Sequence, residues 1–231
     1  MLEVRGLSVT YPDGKEAVSG VSFALGDDER VALIGANGAG KSTLLRSIVG
    51  LLPASAGEIK MDGVVLSNIS VSEIRRKIGI VFQNPDDQLF MANVRDDVAF
   101  GPRNMGLPED EVGRRVDSAL GCLGISHLGD RISDRLSVGE KRMAGIASVL
   151  SMSPNALLLD EPSSSLDPRS RRALMDTLQS LPHSALIATH DLDLAGRLCP
   201  RVIILQDGRL RADGPSDELL SDLKKLESYG L

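Results

Sequence analysis

Hydrophobic and polar positions alternate in the first part of the chain, which is the spacing of half-buried strands. Leu7, Val9 and Tyr11 alternate before a Pro-Asp-Gly turn, and the alternation resumes over residues 21–25. A second hairpin pattern covers residues 59–66 around an Asp-Gly turn. We therefore predict antiparallel strands in both regions.

Continuous apolar runs predict a different kind of strand, because a strand covered on both faces has no solvent-facing positions. Such runs occupy residues 30–34, 156–159, 185–188 and 202–205. Segments with helical spacing separate the later runs, and alternating strands and helices are typical of a mainly parallel sheet. The tail after Gly214 has the pattern of one amphipathic helix. The fold class predicted is α/β, with a mainly parallel sheet core and an antiparallel β subdomain.

The segment 84–137 differs from the rest, because it has few apolar runs and places apolar residues at helical spacing after Pro108. We interpret it as an α-helical subdomain inserted into an α/β core that consists of residues 1–83 and 138–231. A length of 231 residues suits one domain with such an inserted lobe.

Composition and charge exclude several classes of protein. A formal charge of −6 and 3% aromatic residues argue against binding to nucleic acid, which needs phosphate neutralisation and base stacking. No apolar run reaches the roughly 18 residues of a membrane-spanning helix, and the first residues show no export signal. We therefore expect the chain to stay in the cytosol. Cys122 and Cys199 show no metal or disulfide spacing and are predicted to be small buried residues.

Residues 35–42 match the phosphate-binding pattern GxxxxGK(S/T) between a predicted strand and a predicted helix. Glycines in this pattern let backbone N–H groups face an anion, and the helix start adds positive partial charge. Lys41 is expected to reach the terminal phosphates, and Ser42 to bind magnesium. A glycine-rich turn with a solvated lysine fits this context poorly. The candidate nucleotide-binding residues of the loop are Gly35, Asn37, Gly38, Ala39, Gly40, Lys41, Ser42 and Thr43.

Two adjacent carboxylates, Asp160 and Glu161, follow an apolar strand at the edge where open α/β sheets bind ligands. Because successive residues of a strand point to opposite sides, Asp160 can face a magnesium ion while Glu161 faces a water molecule. Phosphoryl transfer to water requires this division between metal binding and general base. An acidic loop after a core strand is the alternative interpretation.

Further motifs follow in order along the chain: Gln83 after a strand, Leu136-Ser137-Val138-Gly139-Glu140 before a helix, Ser165-Leu166-Asp167, and Thr189-His190-Asp191. Together with the phosphate loop and the acidic pair, they resemble the motifs of ATP-binding-cassette (ABC) ATPases over nearly the whole chain. The resemblance implies a P-loop NTPase fold of the RecA-like type, with ATP and Mg²⁺ as ligands and ATP hydrolysis as the reaction.

The resemblance also implies a role for each motif residue. Tyr11 would stack on adenine, Gln83 would link magnesium to a membrane partner, and His190 would hold the γ-phosphate and the attacking water. Contacts to the nucleotide of a partner subunit would come from Ser137, Gly139 and Asp167. The implied catalytic residues are Glu161, His190 and Gln83, and the implied magnesium ligands are Ser42, Gln83 and Asp160. Taken alone, Tyr11 also suits a core position, Gln83 a polar surface and His190 a turn cap.

The signature segment departs from the LSGGQ pattern of the family. Val138 replaces a glycine, and Glu140 replaces the glutamine that lies next to the expected triphosphate. A carboxylate there adds repulsion, which Lys141 and Arg142 would offset unless both are solvated. Ser137 remains at a predicted helix start, so we expect the departure to affect hydrolysis rate and dimer affinity.

Residues 82–90 are similar to the corresponding run in the ATPases of energy-coupling-factor importers, particularly those for cobalt and nickel, although Asn-Pro-Asp is also ordinary turn chemistry. The function predicted is an ATP-hydrolysing subunit that energises an importer of cobalt or nickel ions or of vitamins. It would be a peripheral protein on the cytoplasmic face of the cell membrane. Leu89 and Phe90 are the expected apolar anchors for a helix of the membrane partner.

The expected partners are transmembrane permease subunits and a second ATPase, which is either a copy of this chain or a paralogue. Membrane contact would occur only through these partners, and no nucleic acid is expected.

Two alternative functions remain open. One is a soluble ABC ATPase without a transport role, for example in metal-cluster assembly. The other is a regulatory switch that binds ATP without hydrolysing it, which the altered signature favours and Glu161 and His190 oppose.

Overall fold

The alternating and the continuous hydrophobic patterns form two different sheets. The computed structural model describes residues 1–231 apart from the side chain of Leu223. Its strands are β1 (Leu2–Thr10), β2 (Glu16–Leu25), β3 (Arg30–Ile34), β4 (Ala56–Met61), β5 (Val64–Val65), β6 (Ile78–Val81), β7 (Ala156–Asp160), β8 (Ser184–Thr189), β9 (Arg201–Gln206) and β10 (Arg209–Pro215).

The smaller sheet is antiparallel and has the order β2-β1-β4-β5. Leu2 pairs with Leu25 and Val4 pairs with Phe23, so one face of β1 and β2 is apolar. Leu2, Val4, Leu7 and Val9 of β1 are buried, which is the period of two with one shift in register between Val4 and Leu7. The predicted antiparallel β subdomain is therefore confirmed, with Tyr11 one residue beyond the end of β1.

The larger sheet has the order β10-β9-β3-β8-β7-β6, in which β10 pairs antiparallel and the other strands pair in parallel. All residues of β7 and β8 are buried, because core clusters lie on both faces of this sheet. The predicted mainly parallel core is confirmed. The carboxyl ends of β3, β6, β7 and β8 meet at one edge, where the candidate site lies.

Helices cover the larger sheet and form the segment predicted to be a helical insertion. They are α1 (Lys41–Ile48), α2 (Val71–Lys77), α3 (Val94–Asn104), α4 (Glu109–Cys122), α5 (Val138–Leu150), α6 (Pro168–Ser180), α7 (Leu192–Leu198), α8 (Ser216–Ser221) and α9 (Leu223–Ser228). Helix α5 contacts both α3 and α4 on one side and β6 on the other. Because α5 belongs to both packing units, the division into residues 84–137 and the remaining core stays a prediction.

The end of the chain differs from its prediction. Strand β10 continues to Pro215, and two short helices follow in place of one amphipathic helix. Asp222 separates them, and its side chain accepts a hydrogen bond from the Lys225 N–H at 3.1 Å and so begins α9. The prediction of a single helix is therefore wrong.

Only one of the two cysteines is buried as predicted. Cys199 lies in the core, and burial raises the pKa of its thiol to about 12. Cys122 is exposed at the last residue of α4, whose buried positions are Val112, Val116, Ala119 and Leu120. In the part of the chain that the structure describes, we find no helix with the length and apolar character needed to span a membrane.

Candidate functional site

The phosphate-binding pattern lies on the loop between β3 and α1, and two of its glycines are fixed by the fold. A Cβ atom on Gly35 would lie 2.3 Å from the carbonyl oxygen of Leu205. A Cβ atom on Gly40 would lie 2.4 Å from the carbonyl oxygen of Ala17, and Gly40 also has the left-handed φ of 103°. Close backbone packing therefore requires glycine at both positions.

The tip of the phosphate-binding loop is exposed, and hydrogen bonds fix its base. Asn37 and Gly38 are exposed, whereas Ala39 is buried and its carbonyl accepts a hydrogen bond from the Gly208 N–H at 3.0 Å. At the start of α1, the Thr43 and Tyr11 hydroxyls are 2.9 Å apart. This bond holds the Tyr11 ring beside the loop; stacking on adenine stays a prediction.

Lys41 is buried at the base of the loop and its amine already has partners. Its Nζ donates hydrogen bonds to the carbonyl oxygens of Gly35 at 2.6 Å and Ala36 at 3.3 Å. The same Nζ lies 3.2 Å from Glu161 Oε1, and both side chains are only 6% exposed. An anionic ligand in the loop would therefore compete with Glu161 for this charge.

Glu161 stands between a buried cation and an imidazole. Its backbone has a left-handed φ of 46°, and its N–H donates to the Ala188 carbonyl at 2.8 Å. Its Oε2 lies 2.9 Å from His190 Nδ1, and the His190 ring is 57% exposed. A non-glycine residue in this conformation is strained, and such strain concentrates at functional sites. The geometry holds one carboxylate oxygen of Glu161 against Lys41 and the other against His190.

Asp160 and Ser42 supply neighbouring oxygen atoms on the other side of the loop. The Ser42 hydroxyl donates to Asp160 Oδ1 at 3.0 Å. Burial raises the pKa of the Asp160 carboxyl, and the hydrogen bond from Ser42 partly opposes that rise. Mg²⁺ prefers oxygen ligands and is commonly held by one or two protein groups together with phosphates and waters. This hydroxyl and carboxylate, beside the phosphate loop, fit such an ion.

Gln83 lies two residues beyond the end of β6, and its side chain is exposed. Because Val81 pairs with Leu159 in parallel register, Gln83 leaves the sheet at the same edge as Asp160 and Glu161. Its roles in magnesium binding and in coupling stay predictions.

A second group of motif residues surrounds the start of α5. The Ser137 N–H and hydroxyl both donate to Glu140 Oε2 at 2.8 Å, and the Glu140 N–H donates to Ser137 Oγ at 3.3 Å. The hydrogen bonds from Ser137 lower the pKa of the Glu140 carboxyl. Glutamate at this position therefore completes a reciprocal cap of the helix. Val138 is 46% exposed beside it.

Gly139 and Asp167 also have roles within this chain. A Cβ atom on Gly139 would lie 2.8 Å from Ser170 Oγ, so a larger residue there would require the Ser170 side chain to shift. The Asp167 carboxylate caps α6 by accepting from the N–H groups of Arg169 at 2.9 Å and Ser170 at 3.1 Å. The expected contacts of Ser137, Gly139 and Asp167 with a partner's nucleotide stay predictions.

Three residues near the site make contacts that the sequence did not predict. Arg171 holds Asp191, the residue after His190, through paired bonds of 2.7 Å. Arg142 and Gln88 connect α5 to the segment around Gln83. The expectation that Lys141 and Arg142 offset the charge of Glu140 or are solvated is wrong. Lys141 pairs with Asp86, and Arg142 is buried on the Phe82 and Gln83 carbonyls, because α5 packs against the segment after β6.

A groove of about 610 Å³ lies beside the Gln83 segment, between α2 and β6 on one side and α3 and α5 on the other. Phe90 and Phe100 stand on its wall, with ring centroids 4.8 Å apart at 86°, and are 61% and 41% exposed. Leu89 is only 7% exposed within the core, so its expected role as an anchor is wrong. The reason is that Leu89 turns inward while the next residue, Phe90, turns outward.

Comparisons with known proteins all indicate the same family. The family model described as "ABC transporter" matches residues 18–164. A putative ABC transporter ATP-binding protein of Geobacter sulfurreducens is 49% identical, over 96% of this chain and 89% of its own length. An energy-coupling factor transporter ATP-binding protein of Methanothermobacter thermautotrophicus is 44% identical, over 100% of this chain and 76% of its own length.

Solved structures agree in fold. The structure of cbiO1 from Clostridium perfringens, described as part of the ABC transporter complex cbiONQ, superposes with a TM-score of 0.86. It is 41% identical and covers 97% of this chain and 92% of its own chain. A dimeric ATP-binding cassette in a post-hydrolysis state with ADP and Pi has a TM-score of 0.84 and 25% identity, covering 94% of this chain and 99% of its own.

Proposed function

This chain belongs to the ABC transporter family and is an ATPase, and we propose that it energises a membrane importer of the energy-coupling-factor type. One structural observation supports the transport role most strongly. Residues 82–90 connect the edge of the sheet that carries Asp160 and Glu161 to a groove with two exposed aromatic rings. A partner seated in that groove would therefore sense events at the nucleotide.

ATP would bind with its phosphates on the loop between β3 and α1. The Lys41 amine would leave Glu161 and bind the terminal phosphates. The Glu161 carboxylate would then be free to accept a proton from the attacking water. His190, whose Nδ1 lies 2.9 Å from Glu161, would orient that water and the γ-phosphate. Mg²⁺ held by Ser42, Asp160 and Gln83 would neutralise charge on the phosphates.

A second ATPase subunit would complete the site. The start of α5 at Ser137 is a helix N-terminus, which suits an anion, and a phosphate there would have to displace the Glu140 carboxylate from the Ser137 N–H and hydroxyl. In a two-fold, head-to-tail pair, each chain would supply one phosphate loop and one such helix start, so two ATP molecules would be enclosed. The pair would be two copies of this chain or one copy with a paralogue.

The membrane partner would insert a helix into the groove of Phe90 and Phe100. Basic Arg75 and Arg76 and acidic Asp87 also line this groove, so its rim can pair with charges of either sign. The importer type rests on relatives described as an energy-coupling factor ATP-binding protein and as part of the cbiONQ complex. Cobalt or nickel ions or vitamins are the proposed cargo, and the cytoplasmic membrane face the proposed location.

Co-purification from detergent-solubilised membranes tests this function. Affinity-tagged wild-type chain should retain transmembrane chains that mass spectrometry identifies as permease subunits. The Phe90→Ala, Phe100→Ala double variant should lose them and keep its ATPase rate within about threefold, because the groove lies apart from the nucleotide. Ile69→Ala, which removes a 97% exposed apolar residue outside the groove, is the matched control. Retention of the membrane chains by the groove variant would contradict the proposal.

A further inference from the structure

The Glu140 side chain occupies the hydrogen-bond donors at the start of α5. The Ser137 N–H and the Ser137 hydroxyl both donate to one oxygen, Glu140 Oε2, at 2.8 Å. Each of these groups has a single hydrogen to donate. Ser137 is exposed, so a second subunit can reach it. A phosphate of the second subunit's nucleotide and the Glu140 carboxylate therefore compete for the same two donors.

The charge of Glu140 makes this competition unfavourable for a phosphate. The hydrogen bonds from Ser137 lower the pKa of the Glu140 carboxyl, so the side chain is ionised at neutral pH. A phosphate that approaches Ser137 meets this negative charge, and the two anions repel each other. The side-chain oxygen of a glutamine accepts the same two hydrogen bonds without a negative charge. The obstacle to a phosphate is therefore the charge of Glu140 and not its shape.

A cation lies beside the other carboxylate oxygen of Glu140. Arg131 Nη1 is 4.0 Å from Oε1, the oxygen that Ser137 does not contact. The Arg131 carbonyl accepts a hydrogen bond from the Val94 N–H at 3.0 Å, which fixes the Arg131 backbone to the start of α3. Lys141 is already paired with Asp86. A rotation of the Glu140 side chain toward Arg131 would therefore release Ser137 and keep the carboxylate paired.

The space for this exchange is present beside the helix start. A cavity of about 430 Å³ lies between the starts of α5 and α6, and Ser137, Glu140, His127 and Arg169 line it. His127 also contributes positive charge near Glu140 when it is protonated, in the same sense as Arg131. A cavity with basic groups on its wall favours anions. It can therefore hold both a phosphate and the displaced carboxylate.

We propose that the contact of Glu140 with Ser137 is autoinhibitory, and that transfer of the Glu140 carboxylate from Ser137 to Arg131 opens the start of α5 to the nucleotide of the second subunit. Glu140 thereby raises the ATP concentration at which two subunits pair. This inference rests on the proposed function, and it adds a group of this chain that opposes closure of the ATP site.

The test uses variants in a Glu161→Gln parent, in which blocked turnover preserves ATP. Light scattering gives the dimerisation midpoint, which is the ATP concentration at half-maximal dimer formation. A fluorescent ATP analogue gives the affinity of the dilute monomer. Glu140→Gln should lower the midpoint about tenfold, because it keeps the hydrogen bonds of the cap and removes the repulsion. Monomer affinity should stay within about twofold, since the start of α5 serves the nucleotide of the other subunit.

Arg131→Gln tests the transfer of the carboxylate. With Glu140 present it should raise the midpoint about threefold, because the displaced carboxylate loses its cation. In the Glu140→Gln background it should have no effect, because a neutral amide needs no cation. A rise of equal size in both backgrounds would contradict the transfer to Arg131.

Asp96→Asn is the matched control for the loss of one negative charge at a helix cap. Asp96 exchanges hydrogen bonds of 2.8 and 2.9 Å with Asn93 at the start of α3, as Glu140 does with Ser137 at the start of α5. The control should leave the midpoint unchanged. An equal fall with Asp96→Asn would overturn the proposal, because the effect would then follow net charge alone.

A purely structural role of the Glu140 cap predicts a different result. The midpoint of Glu140→Gln would then be unchanged or higher, and either result would overturn the proposal. If Glu140→Gln fails to fold, Glu140→Ala must lower the midpoint, because it also removes the charge.

Failure of the proposed function gives a distinguishable outcome. Absence of permease subunits after purification from membranes would contradict the importer role alone, since pairing of the soluble chains does not require them. If the parent stays monomeric at saturating ATP, the variant that also carries Glu140→Gln must form the dimer under the same conditions. A monomeric double variant would overturn the autoinhibitory contact.

Discussion

Glu161→Gln is the substitution that tests the site most sharply, because it keeps the shape of the side chain and removes its charge. The carboxylate contacts two groups, Lys41 at 3.2 Å and His190 at 2.9 Å. The amide cannot take a proton from water, so the rate of hydrolysis should fall about 100-fold or more. The substitution also changes the free energy that is needed to move the Lys41 amine from residue 161 to a phosphate.

The size of that second effect follows from the ion-pair distance. Two unit charges 3.2 Å apart attract by about 5 kcal/mol at an effective dielectric constant of about 20, before desolvation is subtracted. Desolvation offsets most of this attraction for a buried pair. Lys41 also keeps its bonds to the Gly35 and Ala36 carbonyls. We therefore expect ATP to bind about 3- to 10-fold more tightly to the variant, a gain of roughly 1 kcal/mol.

Calorimetric titration with ATP and a single-turnover hydrolysis assay on the same preparation measure both effects. Glu29→Gln is the matched control, since Glu29 is another ion-paired glutamate, 2.9 Å from Arg201 at the opposite end of β3. It should change neither quantity. Wild-type turnover in Glu161→Gln would refute the assignment of the base. Weaker ATP binding would refute the competition between Glu161 and phosphate for Lys41.

Four further predictions follow from the same contacts. Lys41→Ala should weaken ATP binding about 100-fold in a titration, since the terminal phosphates lose their cation. Asp160→Asn should abolish Mg²⁺-dependent turnover yet raise the melting temperature at pH 7. Because burial raises the pKa of Asp160 in the folded state, the wild-type protein loses stability as the pH rises through that pKa and the carboxyl ionises. In acid this carboxyl is protonated in both the folded and the unfolded chain, so the wild type and Asp160→Asn should then have the same melting temperature. Phe90→Ala with Phe100→Ala should abolish uptake in cells without lowering the melting temperature. ATP should double the mass of Glu161→Gln in light scattering, and Ser137→Ala should prevent this.

The sequence predicted the fold class and the residues of the first site group because both depend on local patterns. A glycine-rich turn after a buried strand and carboxylates at the end of another are short-range features. Parallel pairing then brings Ser42 to Asp160 at 3.0 Å, since the strand ends share one edge. The ion pair of Lys41 with Glu161 is not local, because it joins the loop after β3 to the residue that follows β7.

Orientation of side chains in irregular segments was the least predictable part. Leu89 and Phe90 are adjacent and both apolar, but one packs in the core and the other faces the groove. The turn that separates them follows from Asp97, a buried carboxylate that accepts the N–H groups of Phe90 and Met91 at 2.8 and 2.9 Å. No spacing rule identifies such a contact. The contacts of Arg142 with the Phe82 and Gln83 carbonyls escaped prediction for the same reason.

Uptake by whole cells tests the central claim, that this ATPase energises an importer, most directly. Cells that carry either the wild-type chain or Lys41→Ala as their only copy are compared for accumulation of labelled cobalt, nickel and a panel of vitamins. The account predicts that accumulation of at least one of these solutes falls to background with Lys41→Ala while the amount of the protein is unchanged. Equal accumulation of every solute in both strains would contradict it.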